Sequence, residues 1–399
     1  MSTFACPVVR IKIEPHPNAD AIEIARVGDY QSIVKKGQFS DGELAVYIPE
    51  QAVLPQWLLE EMGFWNATTL KGSLSGSGGN RVKAIKLRQV LSQGLVYPIH
   101  SELYEEGLSY TLESPEKTES LYLDMGAEEG VDAAEFLGIT KYEPPIPSHM
   151  AGRIAGVDLA ATLNYDFENL KKLPDLFEDG ELVLVTEKIH GTFMQVGVVP
   201  SEMANERYYK GRVVVSSKGM GAKGFILDHT DETNLYVQTA KKYGLLDSAL
   251  EYFGDAADDV GKPYFICGEV FGKTATGAGV QDLIYNGETL GFRAFDVCCG
   301  TRGQQEFFDY ESFMDAIEAL KVPNVPILEL GPYSKEMVLR HTNGNTMVQP
   351  EITRNYVNQI REGVVVKSAH EKLHPRYGRK IAKSVSEAYL LRKNATEFN

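Results

Sequence analysis

The first hundred residues alternate short apolar runs, rich in Val and Ile, with clusters of turn-forming residues. The runs are four to eight residues long, which is typical of β-strands. They read VVRIKIEP, AIEIARV, QSIVKK, ELAVYIP, RVKAIKL and GLVYPI, and the turn clusters are HPNAD, VGDY, FSDGE and KGSLSGSGGN. Five or six such strands in about 100 residues predict a small closed β-barrel.

An acidic stretch follows the predicted barrel and ends at a proline-rich segment. Between Glu102 and Glu135 the chain has eleven acidic residues against one lysine. Stretches such as VDAAEFLGI favour a helix, so we predict a solvated insertion or an acidic helical appendix over about 102–140. The segment YEPPIPSH at 142–149 is typical of a domain boundary. The sequence therefore predicts a first domain over 1–140, a linker over 141–152 and a second domain over 153–399.

Residues 181–198 carry the most informative pattern of the second domain and read ELVLVTEKIHGTFMQVGV. Apolar side chains alternate with period two in the first half, and a second apolar strand follows. Lys188 lies at the turn between the strands, two residues before His190 and Gly191. Desolvation at such a turn favours the neutral amine, which is a nucleophile. Taken alone, Lys188 is more often a surface lysine, and the downstream segments reverse that preference.

Composition is that of an ordinary globular protein. Of the 399 residues, 43% are hydrophobic and 24% are charged, and the length suffices for two or three domains. There is no apolar run near the roughly 18 residues of a membrane span, and no signal peptide is expected. The four cysteines have neither CxxC nor zinc spacing. We therefore expect free, mostly buried thiols in a reducing cytoplasm.

The net charge of −15 is unevenly distributed along the chain. From Arg361 to Lys393 there are nine basic residues against three glutamates, a net charge of +6. Local potential, and not the global sum, attracts a nucleic acid or a triphosphate. A polyanionic partner is therefore compatible with the acidic total.

Five regions of the second domain carry candidate chemistry in a fixed order. The first is Lys188-Ile189-His190-Gly191, and the others contain VVVSSKGMGAKG, YFICGEVFGK, GFRAFDV and REGVVVKS with GRKIAKS. They place charged or aromatic residues in or beside apolar strands, namely Lys218, Glu269, Phe292, Phe295, Asp296, Glu362, Lys367, Lys380 and Lys383. Any one segment carries little information, but all five in this order are a strong signal.

This order resembles the covalent nucleotidyltransferase superfamily of polynucleotide ligases and capping enzymes, over about Glu181 to Lys393. The segments IEPHPNADAIEIARV and RVKAIKLRQVLSQGLVYPI resemble the OB-fold tRNA-binding module. The resemblances imply an α+β fold: an N-terminal OB-fold β-barrel, then a nucleotidyltransferase (ATP-grasp-like ligase) domain of antiparallel sheets flanked by helices. A phosphate-contacting face of the barrel is expected at Lys35, Lys36, Lys83, Lys86 and Arg88. HPNAD has a plain alternative as a tight turn.

The resemblance also implies a role for each candidate. Lys188 is expected to attack the α-phosphate of ATP and form a lysyl-AMP. Lys380 and Lys383 are expected beside Lys188, where like charge favours its neutral form and where they bind phosphates. The other cofactor-binding candidates are Glu187 and Ile189 beside the nucleophile, Lys218 for phosphate or polynucleotide, Glu269 for the ribose hydroxyls, Phe295 for stacking on adenine and Lys367 for the α-phosphate. Glu362 is expected to hold Mg²⁺ or Mn²⁺.

The chain departs from the superfamily pattern at two places. An Asp is usual where this chain has His190, and an imidazole can bind metal but carries no negative charge. His190 is therefore a second metal-ligand candidate. The last lysines have the spacing K-x-x-K in place of K-x-K, so either can be the α-phosphate contact. As plain alternatives, Glu269 and Glu362 are strand-end residues in salt bridges, and one of Phe292 and Phe295 is a core residue.

Domain order points to the ATP-dependent RNA ligases that carry an N-terminal OB domain, sometimes called type-five RNA ligases. The 16 residues after Lys383 are too few for the C-terminal OB domain of capping enzymes and most DNA ligases. The resemblance implies sealing of 3′-hydroxyl to 5′-phosphate ends in RNA or RNA-ended nicked duplex, through lysyl-AMP and AppN. A monomer without a membrane partner is favoured. The alternatives are a non-catalytic OB-fold RNA- or tRNA-binding protein and a GTP-using guanylyltransferase.

Overall fold

The structure is a computed structural model that describes residues 4–104, 107–112, 121–123, 129–143, 151–285, 287–348 and 359–392. The chain forms two compact units, residues 2–143 and 144–399, and each unit has its own hydrophobic core. The limits of the functional domains and of the linker stay predictions. None of the described helices is long and apolar enough to cross a membrane. The four cysteines are free, and three of them are buried.

Short antiparallel strands build the first unit, as the alternating pattern predicts. The strands are β1 (Val8–Arg10), β2 (Lys12–Pro15), β3 (Ile22–Val27), β4 (Tyr30–Lys35), β5 (Leu44–Ile48), β6 (Ala52–Val53), β7 (Trp65–Asn66), β8 (Lys71–Gly72), β9 (Ile85–Leu87), β10 (Val90–Ser92), β11 (Leu95–Pro98), β12 (His100–Tyr104), β13 (Gly107–Leu112), β14 (Leu121–Leu123) and β15 (Thr140–Lys141), and helix α1 is Gln56–Glu61. Three-stranded sheets have the orders β1-β5-β11, β2-β3-β4 and β12-β13-β14.

The HPNAD turn joins β2 to β3 and ties them to the β9–β10 hairpin. Asn18 Nδ2 donates a hydrogen bond to the Arg88 carbonyl oxygen at 2.8 Å. His16 Nε2 lies 3.3 Å from the Leu87 carbonyl oxygen. Arg88 has a φ of 45°, as expected in the tight turn of this hairpin. The HPNAD motif therefore forms a turn that supports the barrel, as the alternative explanation from its turn chemistry expects.

The prediction of a helical appendix over about 102–140 is wrong for the described residues. They form β12, β13 and β14, followed by turns in VDAAEFLGI. Asp132 Oδ1 accepts hydrogen bonds from the backbone N–H groups of Cys6 and Ala134, at 2.8 and 3.0 Å. Such side chain to backbone bonds compete with helix formation. Leu137 is fully buried in the core of the first unit, so the end of this stretch packs into that unit.

Two antiparallel sheets dominate the second unit. Its strands are β16 (Ile154–Val157), β17 (Leu182–Lys188), β18 (Thr192–Val198), β19 (Val213–Ser217), β20 (Phe225–Leu227), β21 (Tyr264–Gly272), β22 (Leu290–Cys299), β23 (Glu306–Phe307), β24 (Ile327–Pro332), β25 (Gly363–Ser368), β26 (Leu373–His374), β27 (Gly378–Arg379) and β28 (Ile381–Val385). The four-stranded sheet has the order β24-β17-β25-β28, and the five-stranded sheet has the order β19-β18-β21-β22-β23. The segment between β17 and β18 therefore passes from one sheet to the other, and Lys188 lies at this crossing.

Helices flank these sheets, as the α+β prediction requires. They are α2 (Lys218–Ala222), α3 (Leu235–Lys242), α4 (Leu245–Val260), α5 (Tyr310–Leu320), α6 (Lys335–Thr342) and α7 (Glu387–Leu390), with 3-10 turns at Leu170–Lys172 and Ser201–Met203. Val237 of α3, Phe253 of α4 and Phe313 of α5 share one core with the apolar side chains of the five-stranded sheet. The side chains of Asn234 and Asp309 cap the first turns of α3 and α5.

Candidate active site

Lys188 ends β17, and its amine contacts a buried glutamate. Its Nζ donates to Glu362 Oε1 at 2.6 Å, and the lysine side chain is 19% exposed. The strand register pairs Lys188 with Gly363. A Cβ on Gly363 would lie 2.1 Å from the Ser384 carbonyl oxygen, so only glycine lets β25 and β28 approach this closely. The Glu-Gly pattern thus positions the carboxylate against the lysine, which is ion-paired in addition to being partly desolvated.

Glu362 is a charged group in the protein interior. Burial would raise its pKa, but the charges of Lys188 and His190 lower the pKa to about 2. Its Oε2 atom is buried and has no hydrogen-bond partner among the described residues. An orphaned carboxylate oxygen is a suitable ligand for a hard cation. The described residues contain no group of three or more His, Cys, Asp or Glu side chains that could hold a metal ion, so a cation at Glu362 needs phosphate or water oxygens as well.

Both ring nitrogens of His190 have protein partners. Nε2 lies 2.5 Å from Asp282 Oδ1, and Nδ1 lies 2.8 Å from the Tyr389 hydroxyl oxygen. Burial would lower the pKa of His190, but the carboxylates of Asp282 and Glu362 raise it above the usual value. The prediction of His190 as a metal ligand does not fit this arrangement, because neither nitrogen is left for a metal.

Sequence reasoning missed three residues around His190, namely Asp282, Tyr389 and Arg392. Arg392 Nε donates to Asp282 Oδ2 at 2.9 Å, and its guanidinium lies 3.5 Å from the centre of the Tyr389 ring. Asp282 belongs to the segment before β22, and the other two residues follow β28. They lie outside the motif segments, and only the concentration of basic residues after Arg361 drew attention to this part of the chain.

Glu269 lies in β21, within electrostatic range of the lysine. Burial raises the pKa of Glu269 to about 7, although the Lys188 ammonium opposes this increase. A Cβ on Gly191 would lie 2.2 Å from the Val270 carbonyl oxygen and 2.9 Å from Glu269 Cγ. Glycine at position 191 therefore lets the segment after Lys188 pack against this carboxylate.

Lys383 is the terminal lysine that the fold brings toward Lys188. Burial, together with the charges of Lys188 and Lys218, lowers the pKa of Lys383 to about 8. Lys218 begins α2, and its Nζ donates to Asp166 Oδ1 at 2.9 Å. Three lysines within electrostatic range of one another favour a polyanion.

Lys380 and Lys367 are held away from Lys188. Lys380 immediately precedes β28 and Lys383 lies within it, and because side chains alternate along a strand we expect a spacing of three residues to put them on opposite faces. Lys380 donates to Glu181 instead, and the expectation that it lies beside Lys188 does not hold. Lys367 Nζ donates to Asp296 Oδ1 at 2.7 Å. It is four positions along β25 from the partner of Lys188, or roughly 13 Å at the usual rise per residue.

Phe295 lies among aromatic rings, whereas Phe292 is fully buried in the core. The Phe295 ring centroid lies 5.5 Å from that of Tyr165 and 6.0 Å from that of Phe193. Phe295 is partly exposed. One member of the pair is therefore a core residue, as expected, and the stacking role of Phe295 stays a prediction.

Glu187 and Ile189 flank Lys188 and are buried. The Glu187 carboxylate accepts hydrogen bonds from the Thr346 hydroxyl and from the Met347 backbone N–H, the latter at 2.6 Å. Strand alternation points it away from the face that Lys188 uses. Ile189 belongs to a small core cluster with Tyr285. Both residues support the crossing between the sheets, and their cofactor roles stay predictions.

The basic residues of the first unit are exposed, as a contact face requires. Lys35, Lys36, Lys86 and Arg88 are exposed, and Lys83 is partly exposed. Their contact with phosphates stays a prediction.

Comparison with known proteins gives two family matches. The model of the family described as RNA ligase matches residues 181–385, about half of the chain. A model described as an OB-fold domain matches residues 6–99. A search of curated protein sequences gave no match.

Solved structures of Naegleria gruberi RNA ligase are similar to this chain over nearly its whole length. A mutant with ATP and Mn has a TM-score of 0.67 at 22% identity, covering 97% of this chain and 98% of that chain. A mutant with AMP and Mn has the same identity and coverage with a TM-score of 0.66, and the ligase with PPi has a TM-score of 0.65. At this identity the likeness shows a common fold.

Proposed function

This chain belongs to the RNA ligase family, and from that premise we propose an ATP-dependent enzyme that joins 3′-hydroxyl to 5′-phosphate ends, including nicks in duplex. One observation carries the proposal. Lys188 contacts the buried carboxylate of Glu362 and lies within electrostatic range of Glu269 and Lys383. A surface lysine has no reason to be surrounded by buried and partly buried charged side chains from three other segments of the chain.

In the first step, Lys188 Nζ bonds to the α-phosphorus of ATP, and the bond from that phosphorus to the leaving pyrophosphate breaks. The ammonium gives up its protons to solvent, and lysyl-AMP results. The ammonium must first lose a proton and leave Glu362, because only the neutral amine has a lone pair to donate. Lys383 and Lys218 offset the negative charge of the phosphates during this step.

Glu362 Oε2 fits a divalent cation, since it is buried and has no hydrogen-bond partner in the described part of the chain. Mg²⁺ or Mn²⁺ there, completed by phosphate and water oxygens, would neutralise phosphate charge. The Naegleria gruberi ligase with ATP and Mn supports the same pairing of nucleotide and metal here. Glu269 would accept hydrogen bonds from the ribose hydroxyls, and Phe295 would stack on the base.

In the second step, an oxygen of the RNA 5′-phosphate attacks the phosphorus of lysyl-AMP. The phosphorus–nitrogen bond breaks, AppN forms and the lysine is regenerated. In the third step, the 3′-hydroxyl attacks the 5′-phosphate phosphorus, and AMP leaves. The OB-fold unit would bind the nucleic acid through its basic residues. Their exposure supports RNA as the partner. The free thiols fit the cytoplasmic location expected from the sequence.

Incubation with ATP labelled at the α-phosphate, in the presence of Mg²⁺ or Mn²⁺, tests the proposal. We expect an acid-labile label on the protein that is released as AMP when a nicked RNA duplex is added. Labelled GTP should give no signal, and a pure RNA-binding protein would take up no label from either nucleotide. A panel of nicked duplexes that differ in the sugar at each side of the break then identifies the substrate.

A further inference from the structure

A line of alternating charges runs from Arg392 to the proposed nucleophile. Arg392 Nε and Nη2 donate to the two oxygens of Asp282, at 2.9 and 3.3 Å. Asp282 in turn holds His190 Nε2 at 2.5 Å. On its other side, His190 Nδ1 lies 3.7 Å from Glu362 Oε2, while Glu362 Oε1 binds Lys188. Each group is therefore adjacent to an opposite charge.

The segment after β28 connects this row of charged side chains to the Glu-Gly motif through hydrogen bonds. The Ser386 backbone N–H donates to the Glu362 carbonyl oxygen at 2.8 Å, and the Ser386 hydroxyl donates to the Arg361 carbonyl oxygen at 3.0 Å. Ser386 then caps α7, which carries Tyr389 to His190. Arg392 Nη1 closes the turn by donating to the Tyr389 carbonyl oxygen at 2.8 Å. The His190 ring is thus held on both nitrogens, by Asp282 at Nε2 and by Tyr389 at Nδ1.

The line matters when Lys188 leaves its carboxylate. Departure of the amine removes the hydrogen bond to Oε1, and Oε2 has no partner in the described part of the chain. A buried carboxylate that loses its cation is strongly destabilised. The His190 ring already lies beside this carboxylate, with Nδ1 3.7 Å from Oε2, so the ring remains next to Glu362 when the amine departs and adds to any divalent cation that Oε2 then holds.

We infer that Asp282 and Arg392 are positioning residues for the transfer of AMP to Lys188, acting through His190 to hold the Glu362 carboxylate while the amine departs. The inference rests on the proposed function. It gives a role to Asp282, which lies in none of the motif segments. Neither Asp282 nor Arg392 is expected to touch the nucleotide, so their removal should lower the maximal rate and spare nucleotide affinity.

Single-turnover labelling of the full chain with α-phosphate-labelled ATP and Mg²⁺ tests the inference. We expect Asp282→Asn and Arg392→Gln each to lower the maximal rate of label formation at least tenfold, with the ATP concentration at half-maximal rate changed by less than twofold. Asp247→Asn is the matched control, because it breaks the exposed Lys210–Asp247 pair, whose atoms lie 2.6 Å apart. That variant should label at the wild-type rate.

A second arm separates positioning from general support of the fold. In a His190→Ala background, Asp282→Asn should cause no further loss, because a residue that acts through the imidazole has nothing left to act on. A full additional loss, or an Asp282→Asn single variant that labels like wild type, overturns the inference. Should Asp282→Asn fail to fold, Arg392→Gln carries the same comparison. Absence of label on the wild-type protein would count instead against the proposed function.

Discussion

Replacing Glu269 by glutamine should stabilise the folded protein at alkaline pH while it weakens the nucleotide chemistry. Burial raises the pKa of Glu269 from 4.5 to about 7. Ionising this carboxyl is therefore costly in the folded state, and a glutamine of nearly the same shape avoids that cost. The ribose hydroxyls, in contrast, need the carboxylate as an acceptor. Stability and activity should consequently change in opposite directions.

The size of the stability gain follows from the raised pKa of Glu269. A carboxyl with a raised pKa binds its proton more tightly in the folded chain, so its contribution to stability is full below pH 4.5 and is lost as pH rises through 7. A tenfold difference in proton affinity between the folded and unfolded chains corresponds to about 1.4 kcal/mol. The free energy of unfolding of Glu269→Gln, relative to wild type, should therefore rise from about zero near pH 4 to about 3 kcal/mol at pH 8.

Urea denaturation of both proteins between pH 4 and pH 8 measures this difference, and labelling with ATP measures the activity. Loss of hydrogen bonds to a charged acceptor should weaken ATP use by at least about tenfold. Glu251→Gln, on the exposed face of α4, is the control and should show no pH-dependent gain. A Glu269→Gln protein that is less stable than wild type at pH 8, or that uses ATP normally, would refute the reasoning.

Four further outcomes follow from the geometry. Lys188→Ala should abolish label formation at saturating ATP and lower the thermal midpoint, because the buried Glu362 carboxylate loses its cation; residual label would contradict the role of Lys188. Lys383→Ala should weaken labelling at least about tenfold. Lys380→Ala should leave labelling unchanged and lower the stability of the fold, because Glu181 loses its cationic partner. The reverse result would contradict the placement of Lys383, and not Lys380, beside Lys188. The pKa of Lys383 is about 8, so its charge is lost as pH rises through 8. ATP affinity should therefore fall above pH 8 in the wild type and fall less in Lys383→Arg. Equal pH profiles of ATP affinity in the two proteins would show that the Lys383 charge is not the cause. Deleting residues 2–143 should spare labelling and reduce sealing of nicks, and sealing at the full rate would exclude a substrate-gripping role for that unit.

The hydrophobic pattern predicts most of the architecture because strand periodicity is a local property. The alternation around Lys188 corresponds to β17 and β18, the apolar run that contains Phe292 corresponds to β22, and the valines before Lys367 belong to β25. The helix prediction for the acidic stretch fails for the same reason. A helical composition in VDAAEFLGI says nothing about Asp132 bonding to the distant Cys6 backbone, and that contact depends on the fold.

The site shows the same division. The Glu-Gly and His-Gly motifs report local backbone needs, which the contacts around Gly191 and Gly363 explain. The opposite facing of Lys380 and Lys383 is predictable from the sequence, since residues at a spacing of three cannot share one face of a strand. Asp282 and Arg392 are not predictable, because each gains its meaning only when remote segments meet at His190.

The most direct test of the central claim is to locate the adenylate on the protein. The protein is incubated with ATP and Mg²⁺ and digested at a pH that preserves the phosphoramidate bond. Mass spectrometry should then find one AMP on Lys188 of the peptide that contains TEKIHG. AMP on any other side chain, or none on a protein that nevertheless seals RNA, would contradict the claim that buried charges around this lysine make it the nucleophile.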